Sequence, residues 1–287
     1  MFKILIYRII NFFFLIPPIT IFLKKRFISQ NKKKINIYPS KLKTNYFINV
    51  IDNIFFKEHI LKTKDQNELR SLLSQIPSSE EGRKWAEIYY KRKMGAESEG
   101  ETLLLFKNLI KFIEANKFEN NSDVYIIQVG SSSGRELEYV RNYFPKLNYI
   151  STDINDEILN FQKEKYTSKN FNFFKCFAED IEKCIDYFQI ESKKIIIFSS
   201  GSLQYVTPFF LKKFFLKISE INNINVFINE PFDLRLLDNK DSLSIDRGPL
   251  KFSHNYESYA KNLKILDKNI IKLYRDTGIY YLHLSNK

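Results

Sequence analysis

Cysteine is nearly missing from this 287-residue chain: only Cys176 and Cys184 occur. Two thiols make no disulfide framework and fit a reducing compartment. No CxxC pair and no His/Cys cluster with zinc-ligand spacing is present, which argues against a metal-stapled fold. Residues 1–50 lack Asp and Glu altogether. No apolar run reaches the ~20 residues that a spanning helix needs. The longest candidate, Ile9 to Leu23, is broken by Pro17-Pro18 and followed by Lys24-Lys25-Arg26. No small-residue cleavage site follows it, so it does not read as a signal peptide. Internal repeats and low-complexity blocks are absent as well.

The formal net charge is +12, and ten basic residues of residues 1–50 account for most of it. The remainder of the chain is near neutral. A basic tail beside an apolar stretch suits an anionic membrane surface better than a nucleic-acid groove. No nucleic-acid partner is therefore expected. Residues 1–50 read as an interfacial anchor on the cytoplasmic leaflet. Two other readings remain: a segment packed on the protein's own domain or on a partner, and a true span that recruits Met1–Tyr7 with Arg8 snorkelling. The expected location is cytoplasmic, peripheral on the inner face of the membrane.

Apolar residues make up 44% of the chain, enough for one large α/β domain with an appendage. Residues 51–118 read as a helical appendage or lid. Ser78 and Glu81 have capping-box spacing, which predicts a helix through Trp85, Ile88 and Tyr89, ending near Gly95. Leu103, Phe106, Leu109, Ile110 and Ile113 recur at helical spacing and predict a second helix over roughly 101–116.

From residue 119 the pattern changes. Apolar runs at Val124–Val129, Leu147–Thr152, Phe171–Cys176, Lys194–Ser199 and Ile224–Asn229 read as strands. Helical patterns at 134–144, 155–166, 179–189 and 207–220 alternate with them. Such alternation predicts a parallel sheet with right-handed crossovers. After an insertion, 231–252, a helix is expected near 254–266. Ile270–Tyr274 and Ile279–Leu284 follow, and the four residues between them permit only an antiparallel hairpin. The predicted fold class is α/β: a doubly wound, mostly parallel seven-stranded sheet over 119–287, with a C-terminal antiparallel hairpin strand and a helical N-terminal appendage.

Four segments carry the chemistry. The first strand ends in Gln128-Val129-Gly130-Ser131-Ser132-Ser133-Gly134, directly before a helix. A small-residue loop there lets a ligand approach the backbone, and the helix N-terminus adds free N–H groups. Asp153 ends the second strand, where a carboxylate can accept hydrogen bonds from ribose hydroxyls. Its other reading is an N-cap, a part Asn155 can also fill. Ala178-Glu179-Asp180 follows the third strand, where an acid can meet an adenine amino group or simply begin a helix. Ser200-Gly201 opens the loop after the fourth strand. The loops after strands one and four flank the switch in strand order, where ligands of open parallel sheets lie.

On these segments residues 119–287 resemble the class I S-adenosylmethionine-dependent methyltransferases. The resemblance implies S-adenosyl-L-methionine as cofactor, held by Gln128, Gly130, Ser131, Ser132, Gly134, Asp153, Glu179, Asp180, Ser200 and Gly201. The final hairpin resembles that family's antiparallel seventh strand, which a nicotinamide-binding domain lacks. Two departures stand out: Gln128 where the family carries an acid, and Ser132 where it carries a glycine. Ser200–Tyr205, Asn229–Phe232 and Phe252–Tyr256 further resemble methyltransferases of surface-polysaccharide gene clusters. That implies a sugar hydroxyl on a glycan or lipid-linked precursor as acceptor.

Methyl transfer from a sulfonium is mostly in-line positioning, with a base for the hydroxyl proton. The candidate base is His254, which also reads as a packed histidine; Glu230 and Asp233 are expected to orient the sugar or to act as base. His59 and His283 are weaker candidates. Asp238, Asp241 and Asp246 read as solvated loop acids, so no metal is assigned. Two rivals remain. One is a nicotinamide-dependent nucleotide-sugar oxidoreductase, against which stand the Gly-x-x-x-Gly spacing and the hairpin. The other is a non-catalytic, membrane-associated binding protein with a decayed cofactor site.

Overall fold

The computed structural model describes residues 79–91, 101–238, 242–248, 251–273 and 275–286. The expected anchor over 1–50, most of the 51–118 appendage, His59, Ser78 and Asp241 lie outside them. Two helices precede the sheet: α1 (Ser79–Lys91) and α2 (Glu101–Ala115). The alternating region then gives β1 (Val124–Val129), α3 (Arg135–Tyr143), β2 (Asn148–Asp153), α4 (Asp156–Lys165), β3 (Phe171–Lys175), α5 (Ile181–Phe188), β4 (Lys194–Ser200), α6 (Pro208–Glu220) and β5 (Ile224–Asp233). Short 3₁₀ turns at Ala178–Asp180 and Leu203–Tyr205 follow β3 and β4.

Beyond β5 come a single turn α7 (Arg235–Asp238), strands β6 (Ser244–Gly248) and β7 (Lys251–His254), and another single turn α8 (Tyr256–Tyr259). The chain closes with β8 (Lys264–Lys272) and β9 (Thr277–Ser285). One seven-stranded sheet runs β3-β2-β1-β4-β5-β9-β8, and β6 and β7 form a separate antiparallel ribbon. The first five strands are parallel, and β9 is antiparallel to β5 and β8. The expected doubly wound α/β sheet with its closing hairpin is therefore present.

Period-2 alternation explains why the sheet has two buried faces. Val124 and Ile126 of β1 pack with Leu105, Phe106, Leu109 and Ile113 of α2 and Leu137 and Val140 of α3. Ile127 and Val129 point the other way, onto Ile181 and Ile185 of α5 and Leu211, Phe214 and Ile218 of α6. By the same alternation Gln128 and, on β4, Ser200 share the α2–α3 face, at the carboxyl ends of their strands.

Two expectations need correction. The helix near 254–266 is only the one turn Tyr256–Tyr259, and from Lys264 the chain is the edge strand β8. Tyr256, Ala260 and Leu263 are buried and simulate a helical stripe. From Lys264 to Asn269 every residue is exposed, so backbone pairing with β9 decides the conformation rather than side-chain pattern. Charged Lys264, Lys268 and Lys272 also suit a sheet edge. The supposed 231–252 insertion instead begins inside β5, which runs four residues past Asn229 to Asp233, and then forms the β6–β7 ribbon.

β5 outruns its neighbour β4. β4 pairs with β5 only as far as Ser200 opposite Asn229, while β9 follows it to Asp233. The Asn229 carbonyl turns toward the β4 side, accepting from Gly201 N–H at 3.0 Å. Two residues on, Pro231 presents its N to that same side, with no hydrogen to donate.

Candidate active site

The loop after β1 is held from three directions. Gly130 and Gly134 have positive φ, at 65° and 71°, and so does Ser132 at 51°. A side chain at Gly130 would meet the Ser202 Cβ at 2.6 Å, and one at Gly134 would meet the Tyr166 ring at 2.7 Å. Both glycines are thus required twice over, by backbone conformation and by space. Gln162 of α4 donates to Ser131 Oγ (2.8 Å) and to the Ser132 carbonyl (2.6 Å). The Tyr166 hydroxyl donates to the Ser133 carbonyl at 2.9 Å. Ser131 is buried, so it belongs to this scaffold rather than to the open side of the loop. Neither Gln162 nor Tyr166 was expected at the site. Their partners lie about thirty residues away, and only the docking of α4 on β2 brings them together.

Asp153 sits at the tip of β2, as the sequence predicts. Its Oδ2 accepts the Ser132 N–H and its Oδ1 the Asn155 N–H, both at 3.1 Å. The Ile154 N–H adds a further backbone hydrogen bond; a carboxylate has about four acceptor positions, so capacity for a ligand donor remains. Asn155 is the N-cap of α4, accepting the Glu157 N–H at 2.9 Å, which frees Asp153 from that part. Burial pushes the Asp153 carboxyl up to about 6.

Glu179 and Asp180 lie buried in the turn after β3, and Asp180 pairs with Lys183 at 3.3 Å. Ser200 ends β4. Gly201, with φ 70°, is the most open of the loop glycines: a Cβ there would meet only Gln204 Nε2, at 3.7 Å. Ser202 crosses to the first loop, donating from Oγ to the Gly130 carbonyl at 2.8 Å.

Gln128 is 1% exposed. Its Nε2 donates to Glu136 Oε2 of α3 at 2.6 Å, while its Oε1 has no donor among the described residues. Burial raises the Glu136 carboxyl to about 7 against hydrogen bonds from Ser200 and Gln128, and Glu230 adds like-charge repulsion. Glu136 was not among the expected site residues.

The three expected catalytic residues are placed as follows. Glu230 is fully buried, and its Oε1 accepts Ser199 Oγ (2.6 Å), Ser202 N–H (2.9 Å) and Leu203 N–H (3.0 Å). Its Oε2 accepts the Gln204 N–H at 3.2 Å. This geometry corrects the expected contact with an acceptor sugar: Glu230 is the clamp of the loop after β4. Burial also raises its carboxyl to about 7. Asp233 is forked by Arg235, at 2.9 Å to Nε and 2.5 Å to Nη2, which holds its carboxyl below the usual range. That makes it a weak proton acceptor.

His254 ends β7, with no exposed surface. Its Nδ1 lies 2.7 Å from Ser244 Oγ, which in turn lies 2.8 Å from the Tyr259 hydroxyl. Its Nε2 is directed toward the Leu203 and Val206 carbonyls without a hydrogen bond of good geometry. Desolvation drops the imidazole to about 4. His254 therefore borders the loop after β4 as a neutral ring.

Asp153, Glu136 and Glu230 thus lie near the carboxyl ends of β1, β2, β4 and β5, and none has an ion-pair partner among the described residues. Arg135, which follows the loop, is turned away, its Nη1 donating to the Tyr90 carbonyl at 2.6 Å. Such a site suits a ligand bearing positive charge and hydroxyl donors. The open side of Gly201, the free acceptor of Gln128 and the spare acceptor capacity of Asp153 fit an adenosyl ligand with a cationic end. Among the described residues no group of three His, Cys, Asp or Glu side chains is placed to hold a metal ion.

No protein-family model matches the chain. A malonyl-[acyl-carrier protein] O-methyltransferase of Ilyobacter polytropus is 30% identical over 156 residues, 52% of this chain and 56% of that protein. The match thus takes in a little over half of that relative's length. Among solved structures, magnesium protoporphyrin IX methyltransferase of Synechocystis, with S-adenosylhomocysteine bound, is 11% identical. It superposes with TM-score 0.49 over 78% of this chain and 100% of that one. A methyltransferase of Anabaena variabilis is also 11% identical, with TM-score 0.47 over 74% of this chain and 96% of that one. The order β3-β2-β1-β4-β5-β9-β8, with β9 alone antiparallel to its parallel neighbour, is that of the class I methyltransferases, and this chain has their α/β fold.

Proposed function

We propose that this protein transfers a methyl group from S-adenosylmethionine to an acceptor oxygen. The observation that carries the reading is the pair of Asp153 and Glu136 at the switch in strand order, with no cationic side chain paired to either among the described residues. S-adenosylmethionine would supply an activated methyl on a cationic sulfur. The residues of the chain would do the rest. Asp153 would hold the ribose hydroxyls. The first loop would bring the backbone close, and Gly201 would leave space beside it. A nicotinamide dinucleotide fits less well, because its pyrophosphate would bring two negative charges to carboxylates with no basic partner among the described residues.

Two acceptor classes have support. A sugar hydroxyl, on a glycan or lipid-linked precursor, is supported by the resemblance of Ser200–Tyr205, Asn229–Phe232 and Phe252–Tyr256. It requires a base, and His254 is the residue proposed for it. A carboxylate on a carrier-bound acid is supported by the name of the Ilyobacter relative and by the state of the candidate bases: Glu230 is committed, Asp233 is paired, and His254 is weakly basic. An acceptor that is already anionic needs none. Residues 1–50 are proposed as the membrane-surface anchor. No helix among the described residues is long and apolar enough to cross a membrane.

The test uses full-length protein. Calorimetry with S-adenosylhomocysteine and with NADH decides the cofactor: binding of NADH alone sinks the reading. Methyl-labelled S-adenosylmethionine, offered with lipid-linked sugars and with acyl-carrier thioesters ending in a carboxylate, decides the acceptor. Co-sedimentation with anionic vesicles, with and without residues 1–50, decides the anchor.

A further inference from the structure

Gln128 and Glu136 present a problem of unmet valence. Glu136 is a carboxylate in the first turn of α3 with no ion pair among the described residues. An unpaired acid in a half-buried position is costly unless something cationic completes it. Gln128 supplies only a neutral donor, its Nε2 at 2.6 Å from Glu136 Oε2. That contact fixes which way the amide points. Its carbonyl must then be Oε1, and Oε1 is buried with no donor among the described residues, a state uncommon for a side chain only 1% exposed.

The two vacancies are next to one another and of one kind. A carboxylate and an amide oxygen, with the Ser200 hydroxyl on the neighbouring strand, make a cluster rich in acceptors. Its complement is a compact group with several N–H donors and a positive charge. A primary ammonium has three such donors; a sulfonium has none. A glutamate at 128 in place of glutamine would put two carboxylates in contact. The amide instead clamps Glu136 with one end and leaves an acceptor at the other.

We propose that Glu136 and Gln128 Oε1 form the seat for the primary ammonium of the ligand's amino-acid end. This rests on the reading that the chain binds S-adenosylmethionine. It adds a residue from α3, outside the loop and strand tips that the sequence singled out. Glu136 is then a ligand-binding residue, and Gln128 both binds and positions.

The test is calorimetry on the full chain with two probes: S-adenosylhomocysteine, which carries the ammonium, and 5′-methylthioadenosine, which lacks the amino-acid end. Glu136→Gln should weaken S-adenosylhomocysteine about 10- to 100-fold, the range for a hydrogen bond to a charged group. It should leave 5′-methylthioadenosine within about twofold. The swap Q128E/E136Q should recover most of the loss by moving the charge across the contact. Equal loss of both probes, or no loss of either, overturns the proposal. Should E136Q fail to fold, wild type decides: an S-adenosylhomocysteine analogue lacking the amino group must bind at least about tenfold more weakly, and equal binding overturns the proposal. If neither probe binds wild type, the cofactor reading falls and takes this one with it. If both bind and E136Q is silent, this one falls alone.

Discussion

Ser202 and Gly130 grip one another across the switch in strand order: the Ser202 hydroxyl donates to the Gly130 carbonyl at 2.8 Å, and its Cβ fills the space a Gly130 side chain would need. The loops after β1 and β4 are thereby one unit, and the positive φ of Gly130 is part of the grip. Gly130→Ala should destabilise the protein by about 1–3 kcal/mol, through backbone strain and overpacking together. Adding Ser202→Gly should restore the packing part but not the strain. Urea melts of both variants check this, and a G130A variant as stable as wild type would contradict it.

Asp153 carries a prediction in pH. Its carboxyl sits at about 6, raised by burial, and only the ionised form accepts from two hydroxyls at once. Affinity for 5′-methylthioadenosine, which has the ribose but no ammonium, should fall as pH drops through about 6. The stability of the free protein runs the other way. A raised acid contributes stability that is fully present below its unfolded pKa and is lost as pH rises through the folded one. Asp153→Asn should therefore gain on wild type in melting temperature between pH 5 and pH 8, while losing most of the ligand-induced shift.

The Glu230 clamp can be tested by truncation. Glu230→Ala leaves three backbone N–H groups and the Ser199 hydroxyl without their acceptor. Each buried orphan costs about 1–3 kcal/mol, not fully additively, so a loss of about 3 kcal/mol or more in denaturant melts is expected. A mild loss, under about 1 kcal/mol, would mean the loop holds without its clamp.

His254 separates the two acceptor classes. If it is the base for a hydroxyl, His254→Ala should cut turnover on a sugar acceptor by about 10²–10⁴-fold and leave a carboxylate acceptor nearly untouched. Its depressed pKa has a further consequence. A histidine at about 4 in the folded state contributes stability above its ordinary value near 6.5 that is lost as pH falls toward 4. His254→Phe should thus be less acid-sensitive than wild type between pH 6.5 and 4, read from urea midpoints. His283, held at about 4 by its own burial, acts in the same direction and stays as a shared background.

The strands, the glycine loop and Asp153 were legible because each is a local pattern: an apolar run, then small residues, then an acid at a strand tip. Glu136 was not. It sits eight residues from Gln128 and meets it only because α3 folds back along β1. Gln162 and Tyr166 were hidden in the same way, as ordinary members of an amphipathic helix. The misread stretch 254–266 shows the converse. Three buried side chains near helical spacing were persuasive, yet an exposed edge strand is specified by the neighbour it pairs with, which a one-dimensional pattern does not contain. Glu230 was found but misjudged, since the backbone N–H groups it satisfies have no signature in the sequence.

Pro231 gives the far end of β5 a lasting asymmetry. Past Asn229 the β4 side of β5 has no strand partner, and the Asp233 N–H on that side is taken by Ser253 Oγ of β7 at 2.6 Å. With no hydrogen on the Pro231 nitrogen and the Asp233 N–H already engaged, these two positions offer an added strand no free donor. That stretch of β5 is thus protected from pairing with a neighbouring polypeptide.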